Sequence, residues 1–587
     1  MANPWTIRPP FARTHDLALA LGVPALVAGV LGQRGYETAD AARAFLAPEL
    51  SQLHNPDALP GVMEAAARLT AAARNGEPIV IYGDYDVDGI TASAILWKAL
   101  RLADANVRVY VPHRIEEGYG LNIEAVERLA GEGARVIVTV DCGISGIAEV
   151  TRANELGLDT IVTDHHEPDP AGLPPALVLV NPKLPESPYP FRDLAGAGVA
   201  LKLAWAIGQT LSARDRVSDA FREFLVAATG LAALGTIADV VPLVGENHVL
   251  ASFGLRALAA STQPGIAALR EIGRLAGKPL DAHHVAFVIG PRLNAAGRLG
   301  HAREAVELLT TAGPDAAMAI AQELDRQNRR RQEVERHIFD EAQEQVARVF
   351  SPERDAAIVL AGPGWHTGVI GIVASRLVEK YHRPTILIGT DEGRAQGSGR
   401  SIPGFHMFQA LAACRQHLTT FGGHAMAAGV RMSAEAVGPF REAFLAHAAE
   451  VLTTDDLTPR LTVDADVTLA DVNLESVRLL ERLGPFGAGN RRPVFAARHV
   501  GVTSPPKRIG RRGDHLAMHV TQAGQARRAV AWNMGEMADA LARAGTCGIA
   551  FTARVSDYNP RRPEVELHVK DLWIGSYGDE AAAKEFS

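Results

Sequence analysis

The stretch Ile79-Val-Ile-Tyr-Gly-Asp84-Tyr-Asp86-Val-Asp88-Gly89-Ile-Thr91-Ala92 decides how the chain is read. Ile79 to Tyr82 is a short continuous apolar run, the pattern of a strand buried on both faces. Three carboxylates on alternate residues follow, and alternate residues of an extended segment point the same way. Asp84, Asp86 and Asp88 therefore crowd one small volume, where they repel one another unless a cation sits among them. A cap for the helix that begins near Gly89 would use one Asp well. It leaves the other two unexplained.

Working outward, strand and helix patterns alternate from residue 78 to about 180. Val/Ile-rich runs predict strands at 79–82, 107–111, 136–140, 160–163 and 177–180, with helices over 89–102, 122–132 and 145–156. Short βα units of this kind build a doubly wound parallel sheet, and such sheets bind ligands at the carboxyl ends of their strands. The polar residues fall at those ends. Asp141-Cys142-Gly143 follows the third strand and Asp164-His165-His166 follows the fourth. A lone Asp after a strand is commonly a helix cap, and the two histidines alone suit a structural role equally well. Three such motifs at one edge favour a shared cation. Asp239 lies further on in the apolar stretch Ala232-Ala-Leu-Gly-Thr-Ile-Ala-Asp239-Val-Val-Pro-Leu, with no basic neighbour in sequence. An unpaired buried charge is costly, which assigns Asp239 to the same cluster.

At 587 residues the chain has room for about three or four domains. An apolar share of 47% with 21% charged residues fits globular domains with sizeable cores. There is no signal-peptide pattern and no apolar run of about 18 residues, so a cytoplasmic protein without a membrane partner is expected. Three scattered cysteines supply neither a disulfide framework nor a thiolate metal site. With a net charge of −8, any contact with a polyanion must be local.

Beyond Asp239, Gly290-Pro-Arg292-Leu-Asn294-Ala-Ala-Gly297-Arg298 sets two arginines and an Asn among glycines, a composition suited to phosphate. Arg292 could equally pair with a core carboxylate. Pro314 opens a helical pattern running to Phe350, about 54 Å of domain-bridging strut, on which Arg326, Arg329, Arg330 and Arg331 read as a solvated face. A second α/β unit follows, with strands at 356–361 and 384–389 and a helix over 369–381. It carries Gly397-Ser398-Gly399-Arg400-Ser401 and Phe421-Gly422-Gly423-His424, where glycine lets phosphate approach and Ser, Arg and His donate. Short strands over about 461–575 suggest a small β-barrel. From Arg491 to Ile574 there are 14 Lys/Arg against 7 Asp/Glu. The densest cluster is Lys507, Arg508, Arg511 and Arg512, interspersed with Phe495, Trp532, Phe551 and Tyr558. Basic residues and aromatics on a barrel suit single-stranded nucleic acid.

Carboxylates and imidazoles without thiolates favour Mn²⁺ or Mg²⁺ over zinc or copper. The set is too large for one ion, and paired ions suit phosphodiester hydrolysis.

The string Asp164-His165-His166, taken with Asp84-Tyr-Asp86-Val-Asp88-Gly, Asp141-Cys-Gly and Asp239, resembles the DHH phosphoesterase superfamily. Arg292-Leu-Asn294-Ala-Ala-Gly297-Arg298, Ser398-Gly-Arg400, Gly422-Gly423-His424 and Leu483-Gly-Pro-Phe486-Gly-Ala-Gly489-Asn490 are similar to the RecJ family of bacterial single-strand-specific 5′→3′ exonucleases. The resemblance implies a DHH catalytic domain (61–312) after a lead-in (1–60), a connecting helix (313–352), a DHH-associated α/β domain (353–455) and an OB-fold (456–587). It implies that Asp84, Asp86, Asp88, Asp141, His165 and Asp239 hold two Mn²⁺ or Mg²⁺ ions, with Asp164 and His166 completing the catalytic motif. Arg114, Arg298, Ser398, Arg400 and His424 would contact phosphate. The implied activity is release of mononucleotides from single-stranded DNA in recombination and repair. Implied partners are single-stranded DNA, a single-strand-binding protein and a RecQ-type helicase, for a monomeric enzyme. Two other readings stay open: a different DHH phosphohydrolase acting on short RNA, cyclic dinucleotides or polyphosphate, and a non-catalytic DNA-binding scaffold.

Overall fold

A computed structural model describes residues 4–113, 117–118, 120–169, 171–212, 216–556 and 563–575. The chain forms two compact units, one of residues 50–458 and one of residues 1–49 with 459–587.

In the larger unit, five parallel strands stand in the spatial order Val107–Tyr110, Ile79–Gly83, Val136–Val140, Asp159–Thr163, Val178–Val180. In chain order this is 2-1-3-4-5, a doubly wound arrangement whose direction reverses between the first and third strands. Asp84 and Asp141 leave the sheet on either side of that reversal. The central strands are buried along their whole length. Each is followed by its helix: Val87–Leu102 after the first and Ile147–Glu155 after the third.

Two further helices, Gly196–Ser212 and Asp219–Ala238, cross the Val87–Leu102 helix. Small residues permit the approach: a Cβ on Gly235 would lie 2.3 Å from a carboxylate oxygen of Asp88. Asp219–Ala238 is apolar enough to cross a membrane by composition, but most of it is buried in this core.

The helix Pro314–Val349 leads to a second sheet, ordered Thr420–Gly423, Ala427–Ser433, Arg394–Arg400, Thr385–Asp391, Ile358–Pro363. The strut is not a plain solvated rod. Arg331 is buried and donates to Asn328 (3.0 Å) and Glu335 (2.9 Å). Arg329 pairs with Asp325. Glu335 also receives Arg376 at 3.1 Å from the helix Thr367–Tyr381, so the strut is tied by charge to the domain it enters.

The smaller unit corrects the expected lead-in. Trp5–Ile7 pairs in parallel with Leu461–Val463, and the Trp5 indole donates to Asp571 at 3.0 Å. Val27, Leu31 and Phe45 share a core with Leu469, Phe495 and Phe551. The first 49 residues bury their apolar face against the barrel segment more than 400 positions away, which no local pattern announces. Asn490, in the glycine-rich stretch 483–490, accepts from Arg34 and donates to the carbonyls of Leu483 and Pro485. Five strands close the barrel: Phe495–Val502, Thr546–Val555, Val565–Ile574, Gln525–Ala531 and His515–Gln522, the last pairing back on the first.

Candidate metal centre and phosphate-binding surfaces

The three early aspartates occupy different positions. Asp84 is buried where the first strand ends. Asp86 caps the Val87–Leu102 helix, its Oδ1 accepting from the N–H groups of Asp88 (2.9 Å) and Gly89 (3.1 Å). Asp88 sits in the first helical turn, where its carboxylate accepts from the N–H groups of Gly196 (2.6 Å) and Ala197 (2.9 Å) at the start of the next helix. A helix N-terminus stabilises that charge. Asp88 thus joins two helices at the point where they meet.

Asp141 lies beyond the third strand with φ +63°, a left-handed conformation that is strained for a residue with a Cβ. Gly196 makes room for it, since a Cβ there would stand 2.7 Å from the Asp141 Cβ. Asp239 ends the helix Asp219–Ala238, and Val240 after it is also left-handed at φ +64°. A β-branched residue held so beside a cluster of charges is a strain the surrounding fold must impose.

His165 brings these groups together. Its Nε2 lies 3.1 Å from Asp141, 3.6 Å from Asp239 and 3.8 Å from Asp88, with no well-directed hydrogen bond to any of them. Asp164 holds the turn: one oxygen accepts from the N–H groups of His165 (2.7 Å) and His166 (3.1 Å), the other from that of Ile144 (3.0 Å). It also meets His166 Nδ1 at 2.7 Å. Among the described residues, Asp84/Asp86/Asp141, Asp88/His165/Asp239 and Asp141/His165/His166 each present ligand atoms within 4.8 Å of one another. Asp141 and His165 each belong to two of these groups.

Electrostatics point the same way. Burial and the neighbouring Asp86 push Asp88 up to about 7, and burial with Asp88 pushes Asp239 up to about 8. Asp141 is raised too, by burial and then by four aspartates around it. Burial and His166 hold His165 down to about 3, neutral and fit to be a ligand. Burial opposes the charge on Asp164 and His166, but their mutual hydrogen bond prevails, setting Asp164 at about 2 and His166 at about 9. Crowded carboxylates around a neutral imidazole are a site that a divalent cation fits, since the cation removes the repulsion that raises them.

The phosphate candidates divide. Arg298 donates to the carbonyl of Gly368 at 2.6 Å, at the start of the helix Thr367–Tyr381. Ser398 and Arg400 lie against Gly371 of that helix, and Arg400 donates to Ser398 at 3.1 Å. Arg400 faces Ala427 across the ladder, beside the exposed turn of Gly423 and His424. Arg298, Ser398 and Arg400 lie against the first turns of one helix, a favourable place for an anion. His366 caps that helix, accepting from Gly368 at 3.1 Å. Sequence reasoning missed His366, though the signal was there: a polar residue between a strand and a helix, as at Asp86. Two side chains of the 290–298 stretch have partners within the protein. Asn294 accepts from the N–H of Val87 at 3.1 Å, a contact that positions the aspartate loop. Arg292 takes the carboxylate alternative, pairing with Asp325. Arg114 lies outside the described residues.

On the barrel, Arg511 and Arg512 are exposed in the turn between Lys507–Ile509 and His515–Gln522, and Lys507 is exposed on the edge. Arg508 departs from the expectation of a free phosphate contact: it donates to Asp539 (2.9 Å) and to the carbonyl of Gly535 (3.0 Å). A different face combines cations with a bare ring. Trp532 is 51% exposed, flanked by His515 (ring centroids 4.9 Å) and His568 (6.5 Å). Lys570 and Arg554 stand exposed nearby with no carboxylate partner among the described residues. Burial, then Arg554 and Arg492, depress Lys570. Cations beside an exposed indole are a combination suited to phosphates and stacking bases.

A parallel sheet with carboxylates at its reversal point, tied through a helix to a second α/β domain, defines a metal-dependent phosphoesterase of the DHH type. The family models agree: "DHH family, N-terminal domain" matches residues 78–230, "DHHA1 domain" 354–450 and "RecJ OB domain" 463–571. The chain is 38% identical to the single-stranded-DNA-specific exonuclease RecJ of Bacillus subtilis, over 98% of this chain and 71% of that protein. It is 35% identical to the Dickeya dadantii RecJ, over 95% and 98%. The crystal structure of RecJ in complex with Mn²⁺ from Thermus thermophilus matches with a TM-score of 0.83 at 33% identity, covering 98% of this chain and 80% of that one. The Mg²⁺ complex gives 0.75 at 30% identity, over 97% and 78%. The chain belongs to the RecJ family.

Proposed function

We propose that the chain degrades single-stranded DNA from its 5′ end to mononucleotides, using two Mn²⁺ or Mg²⁺ ions. The observation that carries the reading is the meeting of His165 Nε2 with the carboxylates of Asp141, Asp239 and Asp88 within 3.8 Å. Asp84, Asp86, Asp141, His165 and Asp239 would hold the ions. Asp88 spends its oxygens on the Gly196 helix and anchors the ligand set. When bound, the ions acidify the attacking water and offset the charge that builds on the phosphate.

The remaining groups position the substrate. Asp164 fixes the turn and favours the protonated form of His166 through their hydrogen bond. Arg298, Ser398, Arg400 and His424, with His366, hold phosphate at the helix N-terminus. On the barrel, Trp532 stacks a base while Lys570, Arg554, Lys507, Arg511 and Arg512 follow the backbone. A cytoplasmic role in recombination and repair, beside a single-strand-binding protein and a RecQ-type helicase, is part of the same proposal. The test is digestion of 5′-labelled and 3′-labelled single strands with Mn²⁺, with Mg²⁺ and with chelator. Mononucleotides released first from the 5′ label, and only with metal, are expected. Release first from the 3′ label, or chelator-resistant hydrolysis, overturns the proposal.

A further inference from the structure

The fifth strand of the parallel sheet, Val178–Val180, ends at the same edge as the strands that deliver the carboxylates, and it delivers a cation there. Asn181, Pro182 and Lys183 follow it. Their turn is fastened to the motif after the fourth strand. The Asn181 amide donates to the His166 carbonyl at 2.9 Å and accepts from the N–H of Lys183 at 2.8 Å. Arg192 donates to the Lys183 carbonyl at 2.9 Å. The backbone of Lys183 is thus tied to the turn that carries His165. Its ammonium pairs with Glu167 at 3.3 Å, where the Glu167 side chain is 67% exposed and that of Lys183 only 20%. An ion pair with so open a partner holds little energy, and a phosphate is the stronger acceptor.

Lys183 belongs electrically to the metal centre. Burial dominates the shifts of His165 and Asp239, and the charge of Lys183 reaches both and lowers each. The sheet fixes the side of the centre on which it stands. The helix Gly290–Leu299, which carries Arg298, stands on the other side. A Cβ on its Gly297 would lie 2.6 Å from the Tyr85 carbonyl oxygen, beyond the first strand. His301, just past its end, meets His113 beyond the second strand, ring centroids 5.1 Å apart. The second strand is one edge of the sheet and the fifth is the opposite edge. From the first strand to the fifth is three steps, about 14 Å at roughly 4.8 Å per step. Asp141 and His165 follow the two strands between them. A polymer held at Arg298 and cut at the carboxylates therefore continues over the fifth strand, where the next anion of its backbone meets Lys183.

We propose that Lys183 binds the phosphate that lies one nucleotide to the 3′ side of the scissile one. The inference rests on the nuclease reading and adds a substrate-binding residue to it. The terminal 5′ phosphate sits at the start of the helix Thr367–Tyr381, the scissile phosphate at the carboxylate cluster and the following phosphate on Lys183. After each mononucleotide leaves, that contact keeps the shortened strand beside the position its next phosphate must take.

The experiment uses the full chain with Mn²⁺ and two 5′-phosphorylated trinucleotides. One has ordinary phosphates, and the other has a neutral methylphosphonate at its second linkage. Both keep the terminal phosphate and the scissile linkage. In the unaltered protein the neutral linkage should raise KM about tenfold, the value of one charge-assisted contact, with kcat within about twofold. Lys183→Met should raise KM for the ordinary trinucleotide by the same factor and add little on the methylphosphonate, whose contact is already gone. Lys183→Arg should bring the ordinary trinucleotide back to within about twofold of the unaltered protein. Thermal melts with and without Mn²⁺ check that the variants fold and hold metal, and Lys183→Gln repeats the comparison should Lys183→Met melt early. A lysine with a merely structural role would impair both substrates alike. Equal effects of the variant on the two substrates, or an unaltered protein indifferent to the neutral linkage, overturns the proposal. Failure of the nuclease reading is a separate result: no mononucleotide released from either substrate by the unaltered protein.

Discussion

The carboxylate cluster and the barrel face, both proposed to meet single-stranded DNA, are built by opposite rules. In the cluster every member sits at the end of a strand or helix, mostly buried, and repulsion is concentrated until a cation relieves it. On the barrel the charges stand in solvent, spread over several strands, and the aromatic ring among them is half exposed. A parallel sheet delivers all strand ends to one edge, so motifs far apart in sequence converge automatically. The barrel's strands, of mixed direction, alternate faces residue by residue, so neighbours in sequence separate and distant residues meet. The two sites accordingly differ in what a single substitution should do.

Asp141→Ala is the strongest test. Hydrolysis of a labelled single strand should fall at least about a thousandfold, some 4 kcal/mol of barrier. Removing one of several crowded anions should leave the metal-free melting temperature unchanged or raised, and abolish most of the rise on adding Mn²⁺. A variant that melts lower without metal would break the picture of stored repulsion. Next, Asp164→Asn should cost roughly 10- to 100-fold through loss of orientation, as supporting groups around metal ligands do. Retention of full activity would mean the turn holds its shape without that carboxylate.

The barrel effects are smaller and depend on substrate length. Trp532→Ala should weaken binding of a long single strand about tenfold, the value of one stacked base, and leave dinucleotide hydrolysis unaffected. Replacing Arg554 and Lys570 together by Ala should reduce the salt slope of binding by about 1.4, near 0.7 for each phosphate that is no longer neutralised. Arg508→Ala should stay within about twofold of the unaltered protein, its charge being engaged already by Asp539. If Arg508 proved to matter more than Lys570, the sequence cluster and not the folded face would define the interface.

The smallest functional effect is expected at Lys98, which belongs to neither region. Lys98→Met removes a desolvated ammonium, so stability in urea should rise by roughly 1–3 kcal/mol at pH 7. The sign follows from proton counts. With the native pKa at about 8 and the unfolded value near 10.5, the folded lysine sheds its proton first. The difference between variant and parent is therefore full below pH 8 and closes as pH rises towards about 10.5. A difference that grew with pH would mean Lys98 is stabilised as a cation.

Much of the larger unit was legible. The strands at 79–83, 136–140 and 159–163 and the helix over Pro314–Val349 fall where apolar runs and prolines put them, because buried parallel strands and capped helices leave strong local signals. The motif residues Asp84, Asp141, His165 and Asp239 converge as expected. The partners of Asn294 and Arg292 were not legible, because a polar residue among glycines looks the same whether it faces phosphate, a loop N–H or Asp325. On the barrel, the run at 507–512 drew attention by density. Yet Trp532, His568 and Lys570 form their face through the pairing of Gln525–Ala531 with Val565–Ile574, a register that no single segment encodes.

Sequence by itself determined the chemistry available: which residues are carboxylates, imidazoles and guanidinia, and that most stand where strands end. Tertiary structure alone decided that Asp141 and His165 are each shared by two ligand groups, that Asp88 serves a helix start, and that residues before 50 complete the barrel's core. The reason is range. Backbone periodicity is set by neighbours a few positions away, whereas repulsion, desolvation and apolar burial are settled by whichever groups the fold brings within a few ångströms.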